Sequence, residues 1–293
     1  MLDTKDGLLK FHNLTATALN SDGSERIALM RTWQRCEFLG VPEEELGEGD
    51  EPNLIYSIKN TAGDFNIPHS LDTSYIKSGV NGSRILVEFD AWREYETHGI
   101  FPLYLGDYWA PRFRAIADLE INSVGVRFNW NSGRFHIIDE NRPYANWVNL
   151  YTFHRFTQNP YENPDVILMD FCKEHFPENP HAAFDLYKHT FDFIKDIYYN
   201  DGVKFLHHGG LERPRGKPVS LDQVTQAYKK MKPFIDKIPD SNQYKADLQK
   251  YALVISYLGR IAAGDKSVES DWKVLDVESY NELAAINADK WLK

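Results

Sequence analysis

The run Leu54-Ile55-Tyr56-Ser57-Ile58, followed at once by Lys59-Asn60-Thr61-Ala62-Gly63-Asp64-Phe65, decides how the chain is read. A short, mostly apolar stretch that gives way to charged and turn-forming residues has the length and composition of a strand buried on both faces. Three other runs share this character: Ile27-Ala28-Leu29-Met30, Ile85-Leu86-Val87-Glu88-Phe89 and Ser123-Val124-Gly125-Val126-Arg127-Phe128. Residues 8–19, before the first run, read as a helix that ends in the turn formers Asn20-Ser21-Asp22-Gly23-Ser24. Between the third and fourth runs, Trp109, Phe113, Ile116, Ala117 and Ile121 recur near helical spacing, which predicts a helix over 108–121. Buried strands joined by helical or long excursions are the pattern of parallel β/α units, with function expected at the C-terminal ends of the strands.

From Pro164 onward the pattern changes. Helices are predicted over 165–176, 181–200, 221–238, 242–263 and 277–292, punctuated by Pro177, Pro180, Pro214, Pro218 and Pro239. Residues 206–218, with His207-His208-Gly209-Gly210 and Arg213-Pro214-Arg215-Gly216, read as a long irregular loop. Its adjacent histidines read as loop surface rather than metal ligands. The expected organisation is a β/α region over 1–163 followed by a mainly α-helical domain over 164–293.

Composition narrows the function classes. The 293 residues carry 33 Lys+Arg against 43 Asp+Glu, a net charge of −10, which disfavours a phosphate-backbone partner held by counterion release. Aromatic residues are abundant, and although core packing accounts for most of them, aromatic planes also hold the apolar faces of sugar rings. Cys36 and Cys172 are the only cysteines, and no His/Cys cluster has metal-ligand spacing, so buried thiols and no metal or cofactor are expected. No apolar run approaches the ~18 residues of a membrane span and the N-terminus lacks a signal-peptide pattern, so the chain is expected to be soluble; its compartment is not assigned.

The chemistry-bearing residues follow the strands. Met30-Arg31-Thr32-Trp33 comes after the first, Lys59 to Phe65 after the second, and Asp90-Ala91-Trp92-Arg93-Glu94-Tyr95 after the third. In a parallel barrel this order gathers Arg31, Lys59, Asp64 and Glu94 around one mouth, two cations with two carboxylates. The alternative is that these charges form ion pairs closing the end of a sheet. Trp33, Trp92 and Trp130 lie near the same strand ends, Trp130 between the polar Asn129 and Asn131, and each is a candidate for stacking on a sugar ring.

These segments resemble the α-glucuronidases of glycoside hydrolase family 67, barrel enzymes that remove glucuronic or 4-O-methylglucuronic acid from xylan fragments. Ile58-Lys59-Asn60 with Asp64-Phe65 matches that family's I-K-N-x-x-x-D-F motif, and Glu88-Phe89 with Glu94-Tyr95 matches its E-F-x-x-x-x-E-Y segment. Arg31 falls where the family has a strand-end arginine. Asn149-Leu150-Tyr151-Thr152-Phe153 with Asn159-Pro160 is similar to its N-W-Y-A-F stretch and N-P turn, so the likeness extends over roughly residues 8 to 175. The resemblance implies that Asp64 is the catalytic base and Glu94 its partner carboxylate, with Arg31 and Lys59 holding the uronate carboxylate. Trp33, Trp92, Asn129 and Trp130 are expected to contact the oligosaccharide. Such an inverting hydrolase needs one carboxylate to take a proton from water while a protonated carboxyl donates to the leaving oxygen. The sequence departs from the family at Asn66-Ile67-Pro68-His69-Ser70 and over 100–105, which bears on the substrate more than on the reaction class.

By the resemblance the four strands are the last four of an eight-stranded (β/α)8 barrel, and the family's general acid lies on an earlier strand. The expectation is therefore a C-terminal barrel half that is completed by a longer parent chain, a separate polypeptide or a second copy. Its partners are expected to be an oligosaccharide and no nucleic acid or membrane. Alternatives are a non-catalytic carbohydrate-binding or scaffold protein derived from the same barrel, and a helical interaction module built on 165–293.

Overall fold

The computed structural model describes residues 5–31, 52–59, 80–91, 103–127, 138–139, 142–143, 147–195, 204–207, 210–215, 220–245, 248–249 and 252. Within them the chain is a mixed α/β protein with a four-stranded parallel sheet and six α-helices. The chain divides into two compact units, residues 1–89 with 111–126, and residues 90–110 with 127–293.

The first unit is built on strands β1 (Ala28–Arg31), β2 (Leu54–Lys59), β3 (Ile85–Asp90) and β4 (Ser123–Arg127), in the order β1-β2-β3-β4. Pairing is parallel, with Ala28 opposite Leu54, Tyr56 opposite Ile85 and Lys59 opposite Glu88. Parallel neighbours require crossovers, and one described helix lies in such a connection, α2 (Gly106–Asp118) between β3 and β4, while α1 (Lys5–Leu19) precedes β1.

Side chains alternate across a strand, and on one face Leu54, Tyr56, Ile58, Ile85, Val87 and Phe89 are all buried. His12 of α1 meets the Tyr56 ring edge-on at 6.3 Å, and Phe113 of α2 stacks on Phe89 at 4.6 Å. The expectation of strands buried from both sides holds along β2, where Ser57 and Lys59 of the opposite face are buried as well. It does not hold on the outer strands, where Leu29 is 53% exposed and β4 is half-buried along its length.

Polar links fix how α1 meets the sheet. Gly23, at φ +80°, turns the chain after α1 in the left-handed region where glycine carries no steric penalty. Asn53, just before β2, donates its side-chain amide to the carbonyls of Ala16 (3.1 Å) and Arg26 (2.9 Å). Arg26 in turn donates to the Leu19 carbonyl at 2.8 Å, satisfying one of the last carbonyls of α1. Before β3 the backbone passes so close to the end of α2 that a Cβ at Gly82 would lie 2.6 Å from the Leu119 carbonyl oxygen.

The described residues of the second unit include the helices α3 (Trp147–Gln158), α4 (Pro164–His175), α5 (Pro180–Lys195) and α6 (Leu221–Ile235). Neighbours in sequence pack against one another, α3 on α4, α4 on α5 and α5 on α6. Their starts follow capping rules: Asn163 accepts from the Asp165 N–H with Pro164 in the first turn, and Ser220 with Gln223 forms a reciprocal capping box. Phe171 is the hub of the core, with the rings of His175 at 4.4 Å, Tyr151 at 5.5 Å, and Tyr187 and Tyr244 at 6.0 Å. Helix α3 was not among the expected helices. The expected loop at 206–218 is corrected as well, since β7 (Lys204–His207) and β8 (Gly210–Arg215) pair antiparallel. A further short antiparallel pair joins β5 (Ile138–Asp139) to β6 (Arg142–Pro143). The helix expected at 277–292 lies outside the described residues, as does most of the one at 242–263.

Leu103 to Leu105 cross this unit without regular structure, fully buried. Buried Asn149 serves their backbone as a strand would, accepting from the Leu105 N–H at 3.0 Å and donating to the Leu103 carbonyl at 2.7 Å. Asn149→Ala strands both groups and is expected to lower unfolding stability by about 3 kcal/mol, read from urea denaturation.

Burial holds the imidazole of His12 below its ordinary pKa, as it does those of His175 and His189, where Glu174 on the first and Lys230 and Asp192 on the second also act. With folded values depressed, the unfolded chain takes up protons first, so stability is fully present above about pH 6.5 and declines as pH falls through the folded values. Chemical denaturation between about pH 7 and 5 is expected to show this decline, and His12→Phe to make it shallower.

Candidate functional site

The face of the sheet turned away from the apolar one carries polar groups near the C-terminal end. Ser57 and Lys59 lie two apart on β2 and so share a side, and Glu88 stands opposite Lys59 in register. The Ser57 hydroxyl donates to the Glu88 carboxylate, which fixes the two side chains on one surface. Ser57 is 1% and Lys59 5% exposed, whereas Glu88 is half-buried. An ammonium is seldom this buried unless a negative group compensates it, and the carboxylate of its register partner is available on the neighbouring strand. Arg31 closes β1 opposite Ser57 in backbone register.

In the second unit, fully buried Asp90 accepts from Arg127 Nη2 at 3.1 Å, and the Ala91 N–H donates to the Arg127 carbonyl at 2.9 Å. This pair is an instance of the ion-pair closure that the sequence left open as an alternative reading of strand-end charges. It uses residues that the sequence reading had not assigned to a site.

The expected site residues divide unequally. Lys59 is a buried side chain at the end of β2, and Arg31 ends β1. Asp64, Glu94, Trp33, Trp92, Asn129 and Trp130 lie outside the described residues, as does Cys36. Cys172 is buried in α4, and its surroundings push the thiol well above its usual pKa, which leaves it unreactive. Ser57, Glu88, Asp90 and Arg127 are the polar groups that sequence reasoning passed over as site residues. Their signal is a period of two: in Leu54–Lys59 and Ile85–Asp90 polar residues occupy alternate positions, 57 and 59, then 88 and 90.

Chemically, a buried ammonium beside a carboxylate that also accepts a hydroxyl proton forms a compact dipolar patch. The chemistry of such a patch suits an anionic group at the ammonium and hydroxyls at the carboxylate. Among the described residues no helix is long and apolar enough to cross a membrane, and no three His, Cys, Asp or Glu side chains are grouped to hold a metal ion. No protein-family model matches the chain, and no curated protein matches it.

Asp90→Asn removes the charge that Arg127 faces. Because Arg127 is about one-fifth exposed, the expected loss is less than for a fully buried pair, about 1–3 kcal/mol in urea unfolding at neutral pH.

Proposed function

We propose that the chain is part of a glycoside hydrolase of the α-glucuronidase type, acting with inversion on the bond to a uronic acid in xylan-type oligosaccharides. The observation that carries this reading is the two-faced parallel sheet, apolar towards α1 and α2 and polar at Ser57, Lys59 and Glu88 on its other side. In a β/α barrel the helices cover the outer face and the inner face leads to the active site at the strands' C-terminal ends. On this reading the first 163 residues are the C-terminal half of such a barrel, and the helical remainder is a separate domain.

Lys59 then supplies a positive charge to the uronate, with Arg31 at the end of the adjacent strand adding a two-pronged donor. Asp64 and Glu94, in the segments that follow β2 and β3, act as the base carboxylates, and the general acid is contributed from outside the segments matched. Exposed Ile27 and Leu29, on and beside a terminal strand of the sheet, support a sheet that continues into further structure.

Calorimetric titration tests the assignment. A glucuronate-substituted xylo-oligosaccharide is expected to bind, the unsubstituted oligosaccharide to bind more weakly, and Lys59→Met to reduce affinity for the substituted one at least about tenfold. Equal affinity for both sugars, or an unchanged affinity in Lys59→Met, overturns the uronate site. Without the acid partner the chain is expected to release little or no uronic acid, so robust release by the purified chain overturns the assignment of that acid to another segment.

A further inference from the structure

Ser57 interrupts the apolar run of β2 at a position that is 1% exposed, and its hydroxyl donates to the Glu88 carboxylate on β3. A hydroxyl placed where water does not reach is destabilising unless it is hydrogen-bonded, and here the partner is a charged side chain of the neighbouring strand. In register Ser57 lies opposite Leu86 and Lys59 opposite Glu88, so the bond runs along the diagonal between the strands. Glu88 therefore has two neighbours on β2, Lys59 directly across and Ser57 diagonally.

A glutamate on the surface of a sheet samples several rotamers, and a ligand that needs its carboxylate has to arrest them on binding. The Ser57 bond removes that motion beforehand, because it ties the carboxylate to a short side chain held by a paired strand. Accepting one hydroxyl does not exhaust Glu88, since a carboxylate offers about four lone-pair sites. The residue is half-buried, so part of it stays open to solvent on the strand beside Lys59.

We infer that Ser57 is a positioning residue that sets Glu88 to accept a hydroxyl of the same sugar ring whose carboxylate lies on Lys59, an inference that rests on the uronate reading of the patch. A uronic acid carries ring hydroxyls close to its carboxylate, and neighbouring strands are about 4.8 Å apart, so register partners on β2 and β3 suit two groups of one ring. The hydroxyl-to-carboxylate bond is charge-assisted and stronger than a neutral one. Glu88 thereby separates a hydroxylated ring acid from a plain carboxylate, which gains nothing from it and is repelled by its charge.

Titration calorimetry of the full chain with glucuronate and with tetrahydropyran-2-carboxylate, a ring acid without hydroxyls, provides the test. Glu88→Gln is expected to weaken glucuronate at least about tenfold. The same variant is expected to bind tetrahydropyran-2-carboxylate no more weakly than the native chain, because loss of the negative charge favours any anion. Ser57→Ala is expected to weaken glucuronate at least about threefold, and Ser57→Thr, which keeps the hydroxyl, to retain it. A purely structural role moves both ligands together. Parallel loss of both ligands in Glu88→Gln, or unchanged glucuronate affinity in Ser57→Ala, overturns the inference, while weakening of both ligands by Lys59→Met leaves the uronate reading standing. Absence of saturable glucuronate binding, or unaltered affinity for both ligands in Lys59→Met, overturns that reading and this inference with it.

Discussion

The N-terminal unit depends on an asymmetry imposed on its sheet. Two helices bury one face, α1 with His12 against Tyr56 and the crossover helix α2 with Phe113 against Phe89. Once that face is committed to the helices, every second residue of β2 and β3 turns the other way. Ser57, Lys59 and Glu88 are therefore gathered by strand geometry, and their grouping needs no loop to create it. The same constraint makes the polar patch rigid, since its members project from paired strands.

Much of this was legible in the sequence because strands signal themselves by short apolar runs with abrupt charged ends. Residues 54–59 and 85–90 form strands as their composition demands, and Lys59 was identifiable because a lysine directly after a buried run has to be placed at the strand's end. Ser57 and Glu88 were harder to see. Each interrupts an apolar run, and a continuous run reads as doubly buried unless the period of two is weighed above total hydrophobicity.

The misreadings have physical reasons as well. Helix α3, Trp147–Gln158, is rich in aromatic and β-branched residues, whose helix propensity is weak; tertiary packing of Val148, Thr152 and Phe156 overrides that preference. In β7 and β8 the glycines and Pro214 imitate an irregular loop, yet glycine suits a tight reversal and proline is tolerated in a two-stranded ribbon with free edges. A cleft between α5 and α6 was illegible for another reason. It takes residues 185 and 189 together with 230 and 234, and nothing in a linear pattern says which helix faces will meet.

Asn53 has a consequence for the order in which the chain is assembled. Its amide joins the carbonyls of Ala16 and Arg26, which lie 37 and 27 positions upstream. A nascent peptide that has reached only β1 possesses α1 but neither the amide that fastens its last turn nor the strand against which Tyr56 receives His12. A helix of this length is marginal in water by itself. The docking of α1 on this sheet therefore arrives together with β2 rather than ahead of it.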